Sequence, residues 1–401
     1  MTRPFALALA GLVALGGAGC GFDTPVLLDR EQAPHDDAAP DGPSVDPGAG
    51  TAIIAGQYHS CLLEGGRLSC WGANDHGQLG VGDTKNRLVA TAVAPDRTFA
   101  EVCGGEAHGC ALEASTGVML CWGDGSNGQL GDPSLASSPL PKIVALPAPA
   151  ISIACGYQHT CAILETGALL CWGANVESQL GRGGNSPREP SPQPVAGGVS
   201  DWVRVGAGQA HTCAIRIDGS LWCWGRNEAG ECAQPTTPPG DQRMSPVRVE
   251  SDIDWVRVVP AQNATCALRS DDTLWCWGEN EFGNLGFPPP AVTTKPLRVG
   301  GPASWSSLAD ETFHGAAIQR DGTLWTWGRN VEGQLGLGDT ADRGTPTKVP
   351  GIERYLGVAT GRFHTCALRA DKQVLCAGRN DEGELGSGDT ARRNVLSATT
   401  R

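Results

Sequence analysis

A Trp-Gly pair returns at nearly constant intervals along this chain, with its Trp at 71, 122, 172, 224, 277 and 327 and Ala377 in the seventh place. Successive steps are 51, 50, 52, 53, 50 and 50 residues, so seven units fill residues 51 to 401. That region is too long for one compact core and too regular for two ordinary domains. The copy from His211 to Gly225, HTCAIRIDGSLWCWG, shows what a unit is. Cys213, Ile215 and Ile217 alternate into Asp218-Gly219, and Leu221, Cys223 and Gly225 alternate out again, the period-two pattern of a β-hairpin around a turn signal. Seven strand-rich units with no sustained helical periodicity indicate radial repetition: an all-β, seven-bladed β-propeller with one sheet per unit.

The cysteines read the same way. Every unit except the sixth has one Cys before the turn and one after: Cys61/Cys70, Cys110/Cys121, Cys161/Cys171, Cys213/Cys223, Cys266/Cys276 and Cys366/Cys376. The spacing runs from 9 to 11, and the turn absorbs the difference, with two residues (Gly65-Gly66), three (Ile217 to Gly219) or four (Ala114 to Gly117). In the sixth unit the two places hold Ala316 and Thr326, so both partners are lost together. Facing residues in an antiparallel ladder have Cα atoms about 4.5 to 5.5 Å apart, within reach of a disulfide. Six hairpin disulfides are expected. The alternatives are free thiols or metal ligands, but zinc sites usually space cysteines two to four residues apart and need four ligands together.

The first 50 residues differ in kind. Residues 1 to 19 read as a secretory signal: Arg3, an apolar run from Phe5 to Leu15, then small residues from Gly16 to Gly19. The run is too short to span a bilayer, which takes about 20 residues. Gly17-Ala18-Gly19-Cys20 resembles a bacterial lipobox, with Gly17 where Leu is usual, so Cys20 is the expected lipidation site; the alternative is ordinary signal cleavage. Residues 20 to 50 then form the anchor Cys and a tether rich in Pro, Gly, Ala and Asp, with nothing to build a core. Export places the cysteines in an oxidising compartment, where disulfides persist. The outer membrane or cell surface is the expected location, consistent with Gly21 rather than Asp after the lipid Cys, with a periplasmic or secreted form as the alternative.

Three stretches carry a family resemblance: WGANDHGQLGVGD (Trp71 to Asp83), WGRNVEGQLGLGD (Trp327 to Asp339) and GRFHTCAL (Gly361 to Leu368). The chain from 51 to 401 resembles the repeats of the regulator of chromosome condensation (RCC1) family. The resemblance implies seven blades of four antiparallel strands each. Departures are local: Gly125 for the Asn, Ser178 for the Gly before Gln179, GECA from Gly230 to Ala233, and Asn263 read in the place of the repeat His. Longer or Pro-rich connections at 234–246 and 287–296 are candidate binding loops, because the scaffold does not demand them.

Several residues invite a chemical reading. His59, His108, His159, His211, His314 and His364 recur at one place and suggest a metal ring, but ligand atoms must lie within about 2.1 Å of a common centre. The resemblance implies instead a structural His, bonded within its own blade. Trp71, Trp224 and Trp277 are expected in the inter-blade core, and Trp202, Trp255 and Trp305 recur just ahead of a repeat. GQAHT (208–212) and GRFHT (361–365) lack the Trp by which the plant ultraviolet-B photoreceptor of this fold reads light, so photoreception is not supported. Glycine loops such as GVGDTKN from Gly80 are followed by no helix and read as turns rather than phosphate cradles. Cys103 and Cys155, on adjacent units, are candidates for an inter-blade disulfide, and Cys232 for a small buried hydrophobe. No catalytic residue, cofactor site or metal site is assigned.

Net charge is −13; with Arg3 in the leader and seven acids against one Arg in residues 21–50, the propeller carries −8. That balance opposes nucleic-acid binding, which wants a basic stripe. The expectation is a monomeric, lipid-anchored, non-catalytic binding propeller for a protein or another surface ligand. Relatives of this fold include a secreted β-lactamase inhibitor, so inhibition of a partner enzyme is one version. The alternatives are a guanine-nucleotide exchange factor for a small GTPase, the family's founding activity, and an enzyme or lectin on a propeller face.

Overall fold

The computed structural model describes residues 45–46 and 51–400, apart from 238–239, 289–291, 302, 311–312 and 352–353. The expected signal segment, Cys20 and all of the tether except the short strand Val45–Asp46 lie outside the described residues. Seven antiparallel sheets follow one another, each built from strands consecutive in sequence. In blade 1 these are Thr51–Ala55, His59–Glu64, Arg67–Gly72 and Arg87–Val93; in blade 7 they are Tyr355–Thr360, His364–Arg369, Val374–Gly378 and Arg393–Ala398. Val45–Asp46 adds to the free edge of the first strand of blade 1.

Burial follows strand position. Each first strand lines a central channel, through Ile54, Gly104, Ile153, Val205, Val258, Leu308 and Val358 in the seven blades. Second strands such as His211–Arg216 are buried on both faces except at their last residue, because a neighbouring blade covers each side. They therefore read as near-continuous apolar runs rather than alternating ones. Fourth strands form the rim and are half-buried or exposed along most of their length, and many contain Pro, as in SPLPKI of Ser138–Ile143 and REPSPQP of Arg188–Pro194. Proline has no N–H to offer, so it suits an edge and blocks pairing with another chain.

Because each strand reverses the last, the links from first to second and from third to fourth strands gather on one face, here called upper. The hairpin turns and the links between blades lie on the opposite, lower face. Thr51, the first residue of blade 1, lies at the lower face, and Val45–Asp46 runs antiparallel to its strand.

Ring closure, which the repeat pattern left open, uses no shared strand. Arg393–Ala398 pairs with Val374–Gly378 in its own sheet, and Thr51–Ala55 pairs with His59–Glu64. Blades 7 and 1 meet instead through Trp71 Nε1 donating to the Glu384 carbonyl (2.8 Å), Arg362 N–H to the Gln57 carbonyl (3.1 Å) and Gly388 N–H to the Leu88 carbonyl (2.9 Å).

The paired cysteines face one another across the second and third strands of their blades. The register sets Cys61 opposite Cys70, Cys110 opposite Cys121, Cys161 opposite Cys171, Cys213 opposite Cys223, Cys266 opposite Cys276 and Cys366 opposite Cys376. Each of these pairs is bonded: Cys61–Cys70, Cys110–Cys121, Cys161–Cys171, Cys213–Cys223, Cys266–Cys276 and Cys366–Cys376. Their Cα atoms are 4.0 to 4.1 Å apart, closer than the ladder spacing of about 4.5 to 5.5 Å expected from the sequence, because each bridge draws its two strands together. These twelve cysteines are therefore structural staples in the blade cores. In blade 6, Ala316 faces Thr326, whose hydroxyl donates to the Leu335 carbonyl (2.8 Å). A seventh disulfide, Cys103–Cys155, ties the first strands of blades 2 and 3 (Cα–Cα 5.5 Å). Its Cys155 is partly exposed beside the channel, whereas the hairpin cysteines are buried.

Loop length and exposure separate the two kinds of bridge. By the chain-entropy relation, a hairpin disulfide closing about 10 residues stabilises by about 2.7 kcal/mol and Cys103–Cys155, closing about 52, by about 4 kcal/mol. Denaturant unfolding of the Cys103→Ser/Cys155→Ser variant should show the larger loss and that of Cys213→Ser/Cys223→Ser the smaller. Mild thiol treatment of the native chain, followed by peptide mapping, should reduce Cys103–Cys155 first.

Candidate binding face

The seams between blades account for most of the buried polar residues. After each Trp-Gly, a glycine-rich loop presents one backbone carbonyl to the next blade. Gln179 is typical: its carbonyl accepts from Trp224 Nε1 (2.9 Å) and from the Thr212 hydroxyl (2.8 Å). The same pair of bonds reaches Gln129 from blade 3, Glu231 from blade 5 and Glu384 from blade 1. Gln78 and Asn284 receive only the Trp bond, because Gly109 and Gly315 stand where the hydroxyl would be. The buried Asn of the loop holds its shape: Asn330 Oδ1 accepts from Leu335 N–H while Nδ2 donates to the Asp339 and Ala341 carbonyls.

The repeat histidines belong to these seams, and five of the six bond between blades rather than within one. His108, His159, His211 and His314 Nε2 lie 2.8 to 3.0 Å from the hydroxyls of Thr160, Thr212, Thr265 and Thr365, and His364 Nε2 lies 2.8 Å from that of Ser60. The rings of His59, His108, His159, His211 and His364 each sit against a glycine of the preceding link; a Cβ on Gly156 would lie 2.2 Å from His159 Cε1. The register corrects one alignment. Ala264, not Asn263, occupies the histidine place, facing Gly278 as His211 faces Gly225. Ala261 stands in the place of the glycine, a Cβ that fits where the imidazole is absent.

Burial holds the six imidazoles neutral. Loss of hydration lowers His59 and His108 to about 4 and His159, His211, His314 and His364 to about 3. Burial acts in the opposite direction on two carboxyls that replace the loop Gln, raising Glu231 to about 7 and Glu384 above its usual value.

The residues left over from this scaffold converge on the upper face. Tyr58, Phe313 and Phe363 each precede the repeat histidine in their links, and Phe282 comes from the loop of blade 5. Phe313 and Phe363 stack with centroids 5.4 Å apart, and Phe282 meets Phe313 edge-on at 5.6 Å. Arg329 lies over Phe282 and Phe313 at 4.9 and 5.0 Å, and Arg362 over Phe363 at 5.4 Å. All six are partly exposed. Beside them is a hollow of about 460 Å³ lined by Tyr58, Asp75, His76, Glu106, Asp124 and Glu382 among others. Burial would raise Asp124, but hydrogen bonds from Ser126 and Ser137 outweigh it and lower its pKa.

Other candidates are absorbed elsewhere. The central channel is small, about 150 Å³, against about 300 Å³ or more for an ordinary ligand pocket. The sulfurs of Cys103, Cys110 and Cys155 lie within 4.8 Å of one another but belong to two disulfides, Cys103–Cys155 and Cys110–Cys121. Cys232 is buried in the blade 4–5 core with Val249 and Trp255, and burial raises its thiol pKa. Of the two Pro-rich connections, the described part of 234–246 is tied to its own blade, Arg243 pairing with Asp241 and reaching the Pro235 carbonyl. Pro288, in the other, borders a groove of about 310 Å³ with Trp305 and Trp325.

The RCC1-like domain model matches residues 118–400, and RCC1 repeat models match 65–112 and 51–78. The chain belongs to the RCC1-like domain family. Among its relatives, human HERC6, a probable E3 ubiquitin-protein ligase, is 29% identical over 247 residues, which is 59% of this chain and 24% of HERC6. The ultraviolet-B receptor UVR8 of Arabidopsis thaliana is 31% identical over 199 residues, 48% of this chain and 44% of UVR8. The chain thus spans less than half the length of either curated relative. The solved structure of yeast RCC1 (Prp20) bound to Kap60 superposes with a TM-score of 0.76 at 19% identity, covering 93% of this chain and 90% of that one. Human WBSCR16 gives 0.75 at 19% identity, with 84% and 94% covered. These structures share the fold.

The seams set the pH response. A histidine with a depressed folded pKa stabilises above its unfolded value, near 6.5, and loses that contribution as pH falls toward its folded value. A carboxyl with a raised folded pKa acts oppositely, losing stability as pH rises from about 4.5 toward 7. Six histidines against two carboxyls give a net loss on acidification, so the melting temperature should fall steadily from about pH 6.5 to about pH 4. A flat profile over that window would place the imidazoles outside the seams.

Proposed function

We propose that this chain is a non-catalytic binding propeller, exported and lipid-anchored at Cys20, that presents its upper face to a protein partner. The aromatic and guanidinium cluster carries this reading. Its side chains take no part in the repeated carbonyl, indole and imidazole contacts of the seams, yet four rings and two arginines from three blades and a loop of a fourth meet at one partly exposed patch. Tyr and Arg are enriched at the centres of protein interfaces, where rigid rings bury area at low entropic cost. Chemistry-bearing residues elsewhere serve the scaffold: the repeat histidines sit in the seams, and Glu231 and Glu384 lend their backbone carbonyls to them.

The family includes proteins named for ubiquitin ligation and for ultraviolet-B reception, and a solved yeast relative is described by its binding to Gsp1p and histones. A GTPase or histone partner requires contact with the cytosol or nucleus, which an exported chain does not have, and a net charge of −13 opposes a nucleic-acid role.

Two measurements test this. Mass spectrometry of the membrane-extracted protein should find an N-terminal, lipidated Cys20; an intact Met1 would overturn export and bring the GTPase reading forward. A photo-crosslinking residue at Val331, on the upper face and 48% exposed, should give a discrete partner adduct on intact cells. The same residue at Ile217, on the lower face and 64% exposed, should not. Adducts from Ile217 alone would reverse the assignment of faces.

A further inference from the structure

We infer that the partner presents a short acidic segment, its carboxylates taken by Arg329 and Arg362 and an adjoining apolar side chain seated on the phenylalanines. This rests on the upper face being the binding face.

Charge accounting points to it first. The sequence has 43 acidic residues against 30 Lys and Arg, so carboxylates are in surplus. Many arginines have one: Arg343 with Asp339, Arg393 with Asp389, Arg87 with Asp83 and Arg379 with Asp381. On the lower face even the ring-stacked cations are neutralised, Arg216 by Asp201 and Arg269 by Asp252 and Asp254. Arg329 and Arg362 make no ion pair among the described residues. Arg362 spends Nη1 on the Tyr58 hydroxyl (2.8 Å), and its Nε is buried with no hydrogen-bond partner.

Geometry agrees. Both guanidiniums lie within 6 Å of the same ring, at 5.0 and 5.9 Å from the Phe313 centroid, so one short segment can reach both. Stacking on a ring face occupies the faces of a guanidinium but leaves its in-plane N–H donors for a carboxylate, the geometry in which Arg binds bidentately. The partial burial raises the worth of such a pair above that of a surface salt bridge. The stacked Phe313 and Phe363, with Phe282 edge-on, supply the apolar floor.

The adjoining hollow limits the length of the acidic run. Asp75, Glu106 and Glu382 line it, so a polyanion extending across the face meets like charge. That disfavours a nucleic acid or a long acidic tail and favours two or three carboxylates beside an apolar residue.

The test is selection of random twelve-residue peptides displayed on phage against the full chain. Enriched peptides should pair Asp or Glu with Phe, Leu or Trp. Affinity of the leading synthetic peptide should fall at least tenfold in the Arg329→Gln/Arg362→Gln variant, weaken with added salt, and survive Arg392→Gln on the same face. If the double variant melts lower than wild type, Arg329→Lys and Arg362→Lys singly keep the charge and should each still weaken binding. Enrichment of basic peptides, or binding indifferent to both arginines, would overturn the inference while leaving the upper face as a binding face. A concentration-dependent dimer lost in the double variant would overturn it in favour of a second copy of this chain. Failure to enrich any peptide would overturn both this inference and the binding reading beneath it.

Discussion

One backbone carbonyl per glycine-rich loop, shared between an indole N–H and a hydroxyl of the next blade, is the contact on which the ring depends. A buried carbonyl without a partner costs about 1 to 3 kcal/mol, so each loop must be met by its neighbour in one register. The Trp that meets it also fills the inter-blade core, which couples the polar contact to apolar burial. The histidine then braces the hydroxyl from the preceding blade. The set is least complete between blades 5 and 6, where the histidine place is Ala264 and the hydroxyl place is Gly315, and blade 6 also lacks its disulfide. Trp327 still donates to the Asn284 carbonyl there, and Trp305 packs edge-on against Trp325 and Trp327. At the next seam the Trp place itself is Ala377.

Much of this architecture was legible before any coordinates. The Trp spacing counted the blades, and cysteines lost in pairs from unit six identified their partners, from Cys61 and Cys70 through to Cys366 and Cys376. The direction of the histidine bond was not legible, because a repeat motif does not distinguish a contact inside a blade from one a whole repeat away. The place of the missing histidine was misread for a related reason. Gln-Asn-Ala-Thr has no landmark, and Asn263, a polar residue, looked like the natural substitute for His. Only the pairing of Ala264 with Gly278 fixes the register.

The binding face was harder still to foresee. Phe282, Phe313 and Phe363 lie in three different links, and nothing in their local sequence says that they meet. A faint signal existed, since Phe313 and Phe363 both precede the repeat histidine. That place is Ala107, Gln158, Ala210 and Asn263 in blades 2 to 5, so the aromatics cluster on one side of the ring. The guanidiniums follow the same asymmetry, and so does the acidic hollow beside them. The seams hold a rigid disc, and the residues they do not need differ from blade to blade, which is how a repetitive scaffold acquires one distinctive patch.

That this patch is where a partner sits is tested most directly by amide hydrogen exchange of the chain, with and without a bound peptide from the display selection. Exchange should slow around residues 279–282, 313, 329 and 361–363, with the hairpin turns at 217–219 and 271–272 unchanged. Protection concentrated at those turns, with the upper links unaffected, would contradict the assignment.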